Sequence, residues 1–465
     1  MSPRPPGPAG RIPRLLALTF IRDRITTLQR LTARYGDVVM FNVGRQPFAV
    51  LNHPDYVRDV LVTHHRAFHK GVGLQRAKLL LGEGLLTSED TQHQRHRRLL
   101  QPAFHRERVA GYGETMATYA DRTSQRWRDG DSRDMLHEMS RLTLAIAGKT
   151  LFDADVEADA DTIGSALGAV LANFNITLLP FGDRLVNWPI PHAVRFRRAR
   201  ARLDGIVYRL IAERRLAGRT GASAPAEPSG RGARGDILTT LVNVRDEEDG
   251  SAMTDLEIRD EVMTLLLAGH ETTANALTWT WYLLSQHEDA RQRFESEIAA
   301  VCGTRVPGVG DLSGLVYTRA VLSEAMRLFP PAYIVGRRAL EPYAVPGTEF
   351  LLPEGTVVLL SQYLLHRDPR FWDAPEAFRP ERWLDGPPQR SPADTGLRYA
   401  YFPFGAGPRI CIGEQFAWME GVLILATIGR RWRFELAAGH SIALQPTITL
   451  RPRGGMPMRI RSRPH

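Results

Sequence analysis

One cysteine near the carboxyl end sits in the run Phe404-Gly405-Ala406-Gly407-Pro408-Arg409-Ile410-Cys411-Ile412-Gly413. The residue types and their spacing suit a thiolate ligand to haem iron. An axial thiolate pushes electron density onto the metal and favours O–O bond cleavage. Gly405 and Gly407 permit a tight loop of positive φ whose amides can point at the sulfur, and Phe404 can shield it from water. Arg409 can pair with a haem propionate, and Gly413 lets the helix from Glu414 onward approach the porphyrin closely. The competing reading is a glycine-rich turn around an ordinary core cysteine. Six fixed positions in one short frame favour ligation.

Three further segments carry spaced chemistry: Glu324-Ala325-Met326-Arg327, Phe378-Arg379-Pro380-Glu381-Arg382-Trp383 and Ala268-Gly269-His270-Glu271-Thr272-Thr273. Glu324 and Arg327 stand at i,i+3 and can pair on one helix face. With the cysteine frame, and in this order along the chain, the segments resemble the cytochrome P-450 superfamily of haem-thiolate monooxygenases, from about Tyr35 to about Met458. The resemblance implies a mainly α fold with a small antiparallel β-sheet region and a long central helix over the haem. It implies a buried Glu324–Arg327–Arg382 cluster behind the haem loop, structural in role. His93 and Arg97, at i,i+4 where many members have W-x-x-x-R, would bond the propionates. So would Arg337, in preference to its neighbour Arg338.

The same resemblance gives Glu271 and Thr272 the task of organising protons and water, and has Gly269 leave room for dioxygen while weakening the helix. It implies haem b with Cys411 as metal ligand and O2 as co-substrate. NAD(P)H would act indirectly, through a separate ferredoxin or flavodoxin and its reductase. The chain has no room for a flavin reductase and too few cysteines for an iron–sulfur cluster. Pocket walls are expected from residues 70–92, 174–180, 265–268, 332–335 and 454–456. They are largely apolar and suit a lipophilic terpenoid, polyketide, steroid or fatty acid, hydroxylated or epoxidised. Two other classes are a peroxide-using or isomerising relative and a haem carrier or gas sensor; the acid–alcohol pair argues against the first.

Composition narrows the field. Cys302 and Cys411 are the only cysteines, which excludes a disulfide framework and a four-cysteine zinc site, and favours a reducing, cytoplasmic home. The formal charge is +9, but all except three of the 60 basic residues are arginine (Lys70, Lys78 and Lys149 are the others). That skew reads as coding bias, and nothing resembles a nucleic-acid motif. His270-Glu271 is no zinc-protease signature, because Ala274 stands where H-E-x-x-H needs histidine. The run Leu15–Ile21 is too short for a membrane anchor. Arg95, Arg98 and Arg106 read as a solvated basic face that could dock an acidic electron donor.

The elements that must position these residues follow from periodicity. A flexible leader is expected over 1–14, then one domain over 15–465, a monomer, with a flexible loop over 218–235. Helix is expected over Leu15–Tyr35, Asp55–Thr63, His93–Leu100, Asp289–Cys302 and Val316–Leu328. Strands are expected at Val38–Val43, Pro47–Leu51, Glu349–Leu352 and Val357–Leu360. Residues 70–92 read as an irregular connector. Thr254 with Glu257 makes a capping box that opens the longest helix, running to about His287.

Overall fold

The computed structural model describes residues 3–8, 19–20, 22–153, 160–173, 182–219, 237–246, 250–384 and 399–463. Most of the expected leader and of the 218–235 loop lies outside them; Gly218 and Arg219 end a helix instead. The chain forms two compact units that interleave in sequence. One comprises Met1–Gln75, Ser323–Cys411 and Ala443–Arg451; the other comprises Arg76–Leu322, Ile412–Ile442 and Pro452–His465.

The first unit is built on a five-stranded sheet in the order Val38–Val43, Gln46–Leu51, Val357–Leu360, Val335–Ala339, Phe68–Lys70. All its pairings are antiparallel except one. Phe48–Val50 runs parallel to Val357–Leu359, so the sheet is mixed where an antiparallel one was expected. Such a parallel pair cannot be closed by a hairpin, and the sequence between its strands is the bulk of the protein. Alternating burial sorts the strand Val335–Ala339: Arg337 and Ala339 are buried, Arg338 is exposed. The helix expected over Asp55–Thr63 is split. Regular helix ends at Arg58, and Asp59–Thr63 is a π-helical turn, a rare form that concentrates at functional sites.

The second unit is mostly helical, with a three-stranded antiparallel sheet of Ser132–Asp134, Pro457–Ser462 and Trp432–Leu436. Its spine is the helix Asp255–Gln286, opened by the expected capping box. Thr254 Oγ1 accepts from the Glu257 amide at 3.2 Å, and Glu257 Oε2 accepts from the Thr254 amide at 2.8 Å. At 1.5 Å per residue it spans about 48 Å. Threonines would ordinarily weaken such a buried helix. Here Thr278 and Thr280 bond back to the carbonyls four residues earlier, both at 2.7 Å, whereas the buried Thr264 hydroxyl has no partner among the described residues. Residues 70–92 are less irregular than expected, since Val72–Leu81 is a helix. Its buried Ala77, Leu80 and Leu81 outweigh the cost of Gly73.

Candidate active site

Cys411 closes the first unit, exposed at the end of an ordered loop. The loop is made by backbone bonds: Gly405 N–H to Phe402 O (2.9 Å), Ile410 N–H to Gly407 O (3.0 Å) and Cys411 N–H to Phe404 O (2.9 Å). Both expected glycines take positive φ, +76° at Gly405 and +70° at Gly407. Gly407 is doubly constrained, because an added Cβ would lie 2.0 Å from the Leu61 carbonyl oxygen in the π-helical turn. Phe404 and Arg409 flank the loop, both half-buried. Gly413 serves as N-cap of the helix Glu414–Gly429. Cys302 is buried, and burial pushes its thiol pKa up, the wrong direction for a thiolate ligand.

The Glu324–Arg327–Arg382 cluster is buried as the resemblance implied. Arg327 grips Glu324 through Nε (2.9 Å) and Nη2 (2.8 Å), and Arg382 Nε reaches the same carboxylate at 2.9 Å. The Arg379 amide (3.0 Å) and Trp383 Nε1 (2.9 Å) complete it. The remaining Arg327 donors satisfy the carbonyls of His366, Pro375 and Ala377. His366, which the motifs did not single out, passes this order on. Its Nε2 accepts the Phe402 amide at 3.1 Å, one residue from the start of the cysteine loop turn. Burial, with Arg327 and Arg367 beside it, holds its pKa well below the usual histidine range, so the ring is a neutral acceptor.

Arg337 lies directly across the sheet from Lys70, and both are buried. Two cations as cross-strand neighbours repel unless an anion lies between or beside them. That arrangement fits a group carrying carboxylates, such as a haem with its propionates. Lys70 was missed because a lone lysine in a glycine-flanked stretch carries no motif.

In the second unit, every residue of the long helix from Ile258 to Trp281 is buried except three: Ala268, Gly269 and Thr272. They form a window on one side of an otherwise enclosed helix. Thr272 Oγ1 donates to the Ala268 carbonyl at 2.7 Å. Glu271 does not share the window; it is buried. Gly269 is half-buried in the window; a Cβ there would make only ordinary contacts, 3.8 Å to Leu151 and 3.9 Å to Ala147, and the long helix continues through it unbroken. One turn further, Thr273 is the neighbour of Glu420, on the helix Glu414–Gly429. Neither Glu420 oxygen has a hydrogen-bond partner among the described residues. Burial pushes its carboxyl up to about 8; the Thr273 hydroxyl, which would lower it, donates to the Gly269 carbonyl at 3.4 Å.

His93 is buried and Arg97 half-buried on one face of the helix Asp90–Leu100. Half a turn round, the expected solvated face is not solvated. Arg95 pairs with Asp246 (3.0 Å) and Glu257 (2.8 Å), and Arg98 with Asp246 (2.8 Å); of the three, only Arg106 stands exposed. His96, between them, is fully buried with Nδ1 2.6 Å from Glu261 Oε1. Glu261 and its neighbour Asp260 also accept the amides of Leu85 (3.1 Å) and Glu83 (2.8 Å). The first turns of the long helix thus fasten the connector beside helix Asp90–Leu100. The clue was the acids at 255, 257, 260 and 261, gathered in the first turns of the long helix. Of the expected walls, residues 174–180 lie outside the described residues. Leu265–Leu267 and Met456 are buried, leaving Ala268 exposed.

A mainly helical fold, a cysteine presented by a glycine loop, and an opened long helix define a haem-thiolate enzyme. The chain belongs to the cytochrome P450 family, whose model matches residues 5–456. It is 38% identical to cyclooctatin synthase of Streptomyces melanosporofaciens over 93% of this chain and 90% of that protein. Cyclooctat-9-en-7-ol 5-monooxygenase of the same organism is 35% identical (88% and 84% covered), and pentalenene oxygenase of Streptomyces avermitilis 34% (94% and 90%). The protein is a haem-thiolate monooxygenase that works with redox partners on lipophilic substrates. Among the described residues no helix is long and apolar enough to cross a membrane.

Proposed function

We propose that this monooxygenase oxidises an alkene-like or alcohol-bearing terpenoid, with Cys411 as the iron ligand. The related enzymes are named for cyclooctat-9-en-7-ol and pentalenene, by their names an unsaturated alcohol and an alkene. Among the four lipophilic classes that the apolar walls suit, they favour the terpenoid. The observation that carries the reading is Cys411, exposed in its glycine loop; separately, the long helix of the second unit is opened at Ala268, Gly269 and Thr272.

When bound, the haem supplies oxygen activation, and its thiolate ligand favours O–O cleavage. Residues of this chain would do the rest. Arg337 with Lys70, His93, Arg97 and Arg409 would hold the propionates by charge-assisted bonds. Phe404, Gly405 and Gly413 would shape and shield the sulfur's surroundings. Thr272 would hold and pass a proton at Oγ1, as the hydroxyl standing in the window. Glu271, one residue earlier and buried, would act through Thr272 by feeding that proton. Gly269, in the same window, would leave room for dioxygen. Electrons would come from NAD(P)H by way of a ferredoxin or flavodoxin and its reductase, in the cytoplasm, to a monomer of one domain over 15–465.

The decisive experiment is the ferrous–CO spectrum of Cys411→Ser and Cys302→Ser. The red-shifted Soret band should vanish in the first and persist in the second. The opposite pattern would overturn the ligand assignment.

A further inference from the structure

The helix Pro191–Arg219 buries one face through Ala193, Phe196, Ala199, Leu203, Val207 and Ile211. Its outer face carries Arg195, Arg198 and Arg202, at i, i+3 and i+7, all exposed and with no ion-pair partner among the described residues. Acids lie on this helix only at Asp204, which Arg259 and Arg200 occupy, and at Glu213, near its far end.

The apolar exposure of the protein gathers at this same helix. Of the large hydrophobic side chains exposed among the described residues, the four most exposed are Leu256 (61%), Leu216 (60%), Trp188 (59%) and Tyr208 (43%). Tyr208 and Leu216 are on the helix. Trp188 stands just before it, in a turn fixed by Arg197, whose Nη1 donates to the carbonyls of Val186 and Trp188. Leu256 follows Asp255, which Arg215 Nε holds at 2.7 Å beside Leu216. Arginines without partners, bracketed by water-exposed tryptophan and leucine held in place by the fold, are the pattern of a helix lying in a membrane interface.

We infer that the outer face of helix Pro191–Arg219 docks on an anionic lipid surface, peripherally and reversibly, with Trp188 and Leu216 entering the headgroup layer. Anionic headgroups would neutralise Arg195, Arg198 and Arg202, and the apolar ends would leave water. An acidic protein would satisfy the arginines but leaves the exposed tryptophan and leucines unaccounted for.

The test is flotation of the haem-loaded protein with vesicles of phosphatidylcholine alone or mixed with phosphatidylglycerol. Wild type should float with the mixed vesicles only, and added salt should release it. The triple variant R195E/R198E/R202E should partition about a hundredfold less, and Trp188→Ala several-fold less, each with its ferrous–CO band intact. Equal partition onto both vesicle types, or wild-type partition by the triple variant, overturns the inference. So does loss of ferredoxin-supported turnover by the triple variant in lipid-free buffer, which would assign the face to a protein.

Discussion

Glu324 and Glu420 are both fully buried carboxyl groups on helices, yet their surroundings are opposites. Glu324 receives Arg327 twice, Arg382, the Arg379 amide and the Trp383 indole. Glu420 receives none within hydrogen-bond distance among the described residues. A buried carboxylate with five donors can stay charged; one without them keeps its proton. Residue type and burial alone therefore do not tell charge. The donors do.

The largest effect should come from Glu324→Gln. The amide leaves Arg327 buried without a counter-charge, a loss of about 3–5 kcal/mol by analogy with broken buried pairs. Urea denaturation should show it, together with poor retention of the Soret band, because Arg327 also sets His366 and through it Phe402. A loss under about 1 kcal/mol would mean that the carboxylate's charge is not what the five donors answer.

Glu420→Gln should act in the other direction, and increasingly as pH rises from about 4.5 to about 8. An unfolded glutamate releases its proton near 4.5, whereas Glu420 holds it to about 8. Between those values the folded state binds more protons, so wild-type stability falls as pH rises, by on the order of 4 kcal/mol once past the upper value. The glutamine variant, uncharged throughout, should match wild type below about pH 4.5 and melt progressively higher than wild type as pH rises to about 8. Parallel melting curves across pH would show that Glu420 is ionised in the fold, contrary to the comparison.

The smallest effect belongs to Trp383→Phe. It removes one donor of five from Glu324 while leaving both arginines, so about 1 kcal/mol should be lost. A loss as large as that of Glu324→Gln would mean that the indole packing, against Trp372 and Tyr401, matters more than the charge.

The same contrast explains what was legible in the sequence. The E-x-x-R spacing marks Glu324 because its main partner lies one helical turn away, and the cysteine frame marks its own loop because glycine is needed at two positive-φ positions. Arg337 over Arg338 rests on the resemblance, and the strand's alternation buries the first and exposes the second. Arg95 and Arg98 were misread as solvated, since Asp246 and Glu257 approach from about 150 residues away and no local pattern announces them. His366, Lys70 and Glu420 were silent for the same reason. The helix Val72–Leu81 was hidden by Gly71 and Gly73, whose local cost is outweighed by burial that only the fold provides.

The parallel pairing of Val50 with Leu359 has a consequence for how the protein is made. More than three hundred residues separate the two strands, so at about 5–20 residues per second the hairpin Val38–Leu51 leaves the ribosome roughly 15–60 s before its sheet partner. Through that interval its unpaired edge is open to wrong partners. The unit that contains Cys411 also needs Ala443–Arg451, which is made later still. Haem capture is thereby set after nearly all of synthesis, and a growing chain that stalls early holds no cysteine loop with which to trap the cofactor.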